Sequence, residues 1–146
     1  MTSVKTEVVN TDLSPDAETV SDLVTSILAD GGVQLGDVTV IFGGDGMLHS
    51  LKRQFFHKDE YTDVIAFRLD ASPDEQFEGE IYISVERAAE NAGIFGVSLA
   101  NELGRLICHG ALHLLGYNDD TDERKTEMRE FENRYLSQFS VDRFLS

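Results

Sequence analysis

The stretch HGALHLLGYND, residues 109–119, carries two of the chain's four histidines. His109 and His113 lie one helical turn apart, so their imidazoles project from the same face and can approach one cation. Gly116 can take the left-handed conformation that ends a helix, and the reversed chain then brings a residue shortly after it back over that face. Asp119 is the candidate, with Asp120 as the alternative, and either, like Asp122, also has the chemistry of a helix cap. Two imidazoles and one carboxylate suit a single Zn²⁺ and leave a coordination position for water. Zinc lowers the pKa of such a water and polarises carbonyl or phosphoryl oxygens, so the spacing predicts hydrolysis.

Such a site needs a helix that ends near residue 115 and a scaffold beneath it. Periodicity predicts helices over 97–115 and 121–139. An earlier helix is expected over 15–30, with Ser14 as cap, Pro15 at its first position and Val20, Leu23, Val24, Ile27 and Leu28 as its apolar stripe before Gly31-Gly32. Asp45 is expected to cap a further helix to Phe56, with Met47, Leu48, Leu51 and Phe55 inward. Alternating Val4, Thr6 and Val8 form a strand, followed by strands at 37–42, 62–68 and 80–85. The turn GGDG lacks the ending of a P-loop, so it is read as a turn alone. Pro73 and Gly79 punctuate the polar loop LDASPDEQFEG. Four strands and four helices without strict alternation predict one α+β domain over residues 1–146, with a mixed four-stranded sheet packed with helices.

The totals narrow the function classes. With 27 acidic and 12 basic residues, the net charge of −15 repels polyanions unless basic residues cluster or a bound cation supplies local positive charge. A lone cysteine, Cys108, allows no internal disulfide and sits about 100° around the helix from His109, where a packed thiol is expected. No apolar run reaches the roughly 18–20 residues of a membrane span, and MTSVKTEVVN lacks signal-peptide features. The expectation is a cytoplasmic protein. Glu102 and Arg105 fit an ordinary (i, i+3) pair, and Glu127, Arg129, Glu130 and Arg134 fit a solvated helix face.

The ligand offsets also occur in zinc peptidases with an HExxHxxGxx(H/D) pattern, but Gly110 occupies the place of the glutamate base, which argues against peptide hydrolysis. HGALHLLGY is similar to the signature HGxLHLxGY, TDVIAF (62–67) to TDVLSF, and GEIYISVERAAENA (79–92) to a GDIxIS…NA element. With these motifs in order, the chain resembles the YbeY family of bacterial rRNA maturation endoribonucleases. The resemblance implies an α+β metallohydrolase fold with a zincin-like metal-site helix. It also implies one zinc ion on His109, His113 and Asp119, and cleavage of single-stranded RNA in small-subunit rRNA maturation and ribosome quality control. The implied partners are ribosomal RNA and the small ribosomal subunit or its proteins. Asp119 stands where the common pattern has histidine. Phe56 stands where it commonly has an arginine, which leaves Arg53, His57 and Lys58 as candidate RNA-binding cations. A non-catalytic ribosome-assembly factor with a structural metal site, and a metal hydrolase of another substrate such as peptides, are the alternative readings.

Overall fold

β-Branched residues in SVKTEV and GDVTVIFG favour extended backbone, and these segments form β1 (Ser3–Val8) and β2 (Gly36–Gly43). With β3 (Val64–Arg68) and β4 (Phe77–Ser84) they make a sheet of order β1-β2-β4-β3 in the computed structural model, which describes residues 2–72 and 74–145. Pro73, expected to punctuate a loop, lies outside the described residues. β1 and β2 are parallel, as are β2 and β4, whereas β3 runs antiparallel to β4 with Ala66 opposite Ile81. The sheet is therefore mixed, and β3 is an edge strand.

The helices are α1 (Ala17–Asp30), α2 (Asp45–Phe56), α3 (Val85–Phe95), α4 (Leu99–Leu114) and α5 (Asp122–Leu136), followed by a 3₁₀ turn over Val141–Phe144. Helix α4 is the structural centre. Leu103, Leu106, Ile107, Ala111 and Leu112 on it join Leu23 and Ile27 of α1 and Val38, Val40, Ile81 and Ile83 of the sheet in one core. Each such buried aliphatic side chain contributes about 1.5–3 kcal/mol, so the helix that carries the histidines is also the best anchored. Close approach to the sheet explains Gly110: a Cβ there would lie 2.5 Å from the Ile81 Cγ2 atom.

Several local expectations are corrected. A fifth helix, α3, follows β4 without a turn because Ser84 both ends the strand and caps the helix, its Oγ accepting from the Arg87 backbone N–H at 3.2 Å. Helix α1 is capped by Asp16, whose carboxylate accepts from the Thr19 N–H at 3.1 Å, while Pro15 instead bridges to Leu145. Asp45 is the first residue of α2 rather than its cap. Its carboxylate accepts from Ser84 Oγ at 2.8 Å and Arg87 Nε at 3.2 Å, and Glu86 receives the Asp45 N–H at 3.0 Å. Phe55, expected inward, is 55% exposed, because the inner face of α2 narrows to Leu48. Among the described residues no helix is long and apolar enough to cross a membrane.

Candidate metal centre

Helix α4 ends in a Schellman motif that sets the whole site. The Tyr117 N–H donates to Leu112 C=O at 3.1 Å and the Gly116 N–H to His113 C=O at 2.9 Å, with Gly116 at φ +101°. A side chain is disfavoured at that φ, and the glycine lets the chain double back over the last turn of α4. Asp119 is thereby delivered to the two histidines. His109 and His113 meet Nε2 to Nε2 at 3.0 Å, and the Asp119 carboxylate oxygens lie 3.4 Å from His109 Nε2 and 3.9 Å from His113 Nε2. Donors about 2.0–2.1 Å from a shared ion would be spaced on this scale, so the three residues fit a zinc ion. Asp120 turns away, accepting from Arg124 Nη1 at 2.8 Å.

The ring nitrogens are prepared for this role from behind. His109 Nδ1 lies 2.6 Å from the Glu132 carboxylate of α5, whose side chain is 1% exposed. A buried carboxylate at Nδ1 fixes the proton there and leaves Nε2 with a free lone pair directed at His113 and Asp119. His113 makes a hydrogen bond to the Tyr117 backbone, and burial, then the neighbouring His109, lowers its pKa below the ordinary histidine value. That ring is therefore neutral near pH 7 and able to ligate. Cys108 is fully buried, and burial followed by the Glu132 charge pushes its thiol far up, which leaves it outside the donor set.

Glu132 is the residue that sequence reasoning missed, and it belongs to a larger buried network. Arg105 grips Glu102 bidentately, Nε to Oε1 at 2.7 Å and Nη2 to Oε2 at 2.5 Å, and reaches Glu132 at 3.4 Å through Nη1. Asn91 of α3 donates to Glu102 at 3.1 Å and to Asp63, just before β3, at 2.9 Å. Burial opposes the Arg105 charge, but the hydrogen bond to Glu102 and the charges of Glu102, Glu132 and Asp63 outweigh it and hold the guanidinium protonated. The expected Glu102–Arg105 pair thus exists, buried rather than on the surface. It ties three chain segments to the back of His109.

Two clefts meet at the cluster, sharing Asp63, His109 and Asp119 as walls. One, of about 410 Å³, runs along the β3 edge and is lined by Thr62–Ala66, His113, Lys52 and Phe56. The other, of about 240 Å³, runs toward α5 and is lined by Arg105, Lys125, Met128, Arg129 and Glu132. Arg53, His57 and Lys58 are exposed at the end of α2, where His57 takes a left-handed conformation, and line neither cleft. Lys52 is the α2 cation that faces the site, its Nζ 4.9 Å from the Phe56 ring centroid and 3.4 Å from Glu60.

A family model described as endoribonuclease YbeY matches residues 3–140. The endoribonuclease YbeY of Amoebophilus asiaticus is 37% identical over 122 residues, covering 84% of this chain and 82% of that protein. The endoribonuclease YbeY of Chlorobium phaeobacteroides is 36% identical over 134 residues, covering 91% and 93%. Among solved structures, the solution structure of TM1509 from Thermotoga maritima matches with a TM-score of 0.63 and 28% identity, over 92% of this chain and 87% of that one.

Proposed function

The chain belongs to the YbeY endoribonuclease family, and from that premise we propose that it is a zinc-dependent endoribonuclease that cleaves single-stranded RNA in small-subunit rRNA maturation and ribosome quality control. His109, His113 and Asp119 hold the ion in this reading. The observation that carries it is the Glu132 carboxylate behind His109, because a buried acid that aims an imidazole at two further donors is the arrangement metal ligands use. When bound, zinc with three protein ligands supplies an acidic water and a Lewis acid for a phosphoryl oxygen.

The chain's own residues position the RNA. Lys52 offers a cation to a phosphate in the cleft along β3, and Phe56 beside it offers a ring on which a base can stack. Arg53, His57 and Lys58 extend that positive surface beyond the cleft. Ribosomal RNA and the small subunit or its proteins are the partners in this reading, and the cytoplasm is the compartment.

The test measures zinc content and single-stranded RNA cleavage on the untagged wild-type chain and on His113→Ala and Asp119→Ala. Near-stoichiometric zinc and cleavage, both lost in the variants, are expected; cleavage that survives zinc removal would overturn the reading. Product ends identify the nucleophile, since a 2′,3′-cyclic phosphate assigns attack to the RNA 2′-hydroxyl rather than to water. Phe56 in the cleft wall, where the resemblance leads to arginine, favours a second reading as a non-catalytic ribosome-assembly factor. Bound zinc without any RNA cleavage would select it. Peptide hydrolysis is disfavoured because position 110 is packed against Ile81 and has no room for an acid.

A further inference from the structure

The cleft on the α5 side contains three of the chain's 12 basic residues, Arg105, Lys125 and Arg129, although the chain as a whole is strongly acidic. Arg105 is consumed by its buried carboxylates. The other two are available: Lys125 is exposed and makes no ion pair among the described residues, and Arg129 is half exposed with only a 3.9 Å approach to Glu132. They are not on the solvated back of α5. Lys125, Met128, Arg129 and Glu132 follow one another at i, i+3, i+4 and i+7, a single stripe whose Met128 and Glu132 are buried and whose two cations stand at the cleft mouth. Arg129 was expected on a solvated face with Glu127, Glu130 and Arg134, and the structure moves it to the site.

Against two of these cleft-lining cations packs Phe95, the last residue of α3, 49% exposed. Its ring lies 5.6 Å from the Arg129 guanidinium and 5.7 Å from that of Arg105. An exposed ring beside phosphate-reaching cations has the composition of a single-strand binding platform, in which the cations follow the backbone and the ring stacks a base.

Resting on the endoribonuclease reading above, the geometry points to a second arm of the RNA site: Lys125 and Arg129 hold backbone phosphates on the α5 side of the metal centre, and Phe95 stacks a flanking base. The RNA then crosses the cluster from the Lys52–Phe56 cleft into the α5 cleft, with the linkage to be cut over His109 and Asp119, the walls both clefts share. The two arms divide the work. The α5 arm brings Lys125 and Arg129 to its cleft, and the α2 arm lines its own cleft with Lys52 and the aromatic surface of Phe56.

The test is fluorescence anisotropy of a labelled single-stranded RNA with the zinc-loaded full chain, read as affinity against salt concentration. Each phosphate contact to a single strand contributes about 0.7 to the slope of log affinity on log salt. Lys125→Ala and Arg129→Ala should each lower the slope by about that amount, whereas Lys5→Ala, the same charge change on the far edge strand β1, should leave it unchanged. Phe95→Ala should weaken binding by about fivefold or more with the slope intact, because stacking releases no counterions. Lys125→Arg should keep the wild-type slope. If wild-type chain binds RNA while Lys125→Ala and Arg129→Ala behave like Lys5→Ala, the α5 arm is wrong and the endoribonuclease reading survives. If the wild-type chain binds no RNA, both fall.

Discussion

Glu132 shows how much of the site rests on one residue that touches no proposed substrate. In the sequence it is one charge among many on the helix DERKTEMREFENRYL, and no spacing connects it to His109, 23 residues away. His109, His113 and Gly116 were legible because helical geometry alone relates them; Glu132 was not, because only the docking of α5 on α4 brings it there. Glu132→Gln keeps the volume and an acceptor for His109 Nδ1 but removes the charge. We expect zinc affinity to fall by about 10- to 100-fold in chelator competition, with folding retained. Unchanged affinity would reduce Glu132 to a partner of Arg105. Tyr82 gives a second residue-level test. Burial, aided by its hydrogen bond to Glu80 and by the charges of Glu80 and Glu7, pushes its hydroxyl up to about 12. An unfolded tyrosine titrates near about 10, so between the two values the folded chain keeps a proton that the unfolded chain has lost. Stability therefore falls as pH rises through that window, and Tyr82→Phe should flatten the fall in urea unfolding.

At the level of elements, the contact of α4 with β4 and the turn after α4 decide the site's geometry. Replacing Gly110 by alanine gains helix propensity but drives a methyl into Ile81, which is fully buried and cannot swing aside. A net loss of up to about 2 kcal/mol is expected. Gly93→Ala in α3, where a Cβ meets nothing within 4 Å, should instead gain about 0.5–1 kcal/mol. Urea midpoints that shift in the same direction would contradict the packing argument. Gly116→Ala forces a side chain into the left-handed region and should cost about 1–2 kcal/mol, with weaker zinc binding because Asp119 is displaced. The long helices were readable from their apolar stripes. Helix α3 was hidden because its 11 residues carry only Ala88 and Ala92 as buried anchors and because Ser84 joins it to β4 without a breaking residue. Phe55 misled for the opposite reason: its spacing is helical and apolar, but its ring meets Phe67 edge-on at 5.4 Å and is left 55% exposed at the end of α2.

For the whole molecule, the formal charge of −15 and the RNA-binding reading pull in opposite directions, and salt separates them. Like charges spread over a small domain repel one another in the folded state more than in the expanded chain, so screening should stabilise the fold. The Debye length shrinks from about 30 Å at 0.01 M salt to about 8 Å at physiological ionic strength, short enough to remove most repulsion across the surface. The network of Arg105, Glu102 and Glu132 is buried and is screened far less, so the stabilising pairs survive the change. The urea midpoint of the wild-type chain at neutral pH should therefore rise over this salt range. RNA affinity should fall over the same range, because binding there is local and proceeds by counterion release. A midpoint that falls with salt would mean that exposed ion pairs such as Arg124–Asp120, 2.8 Å apart, outweigh the net repulsion, and that the acidic surface is a paired lattice rather than an excess of charge.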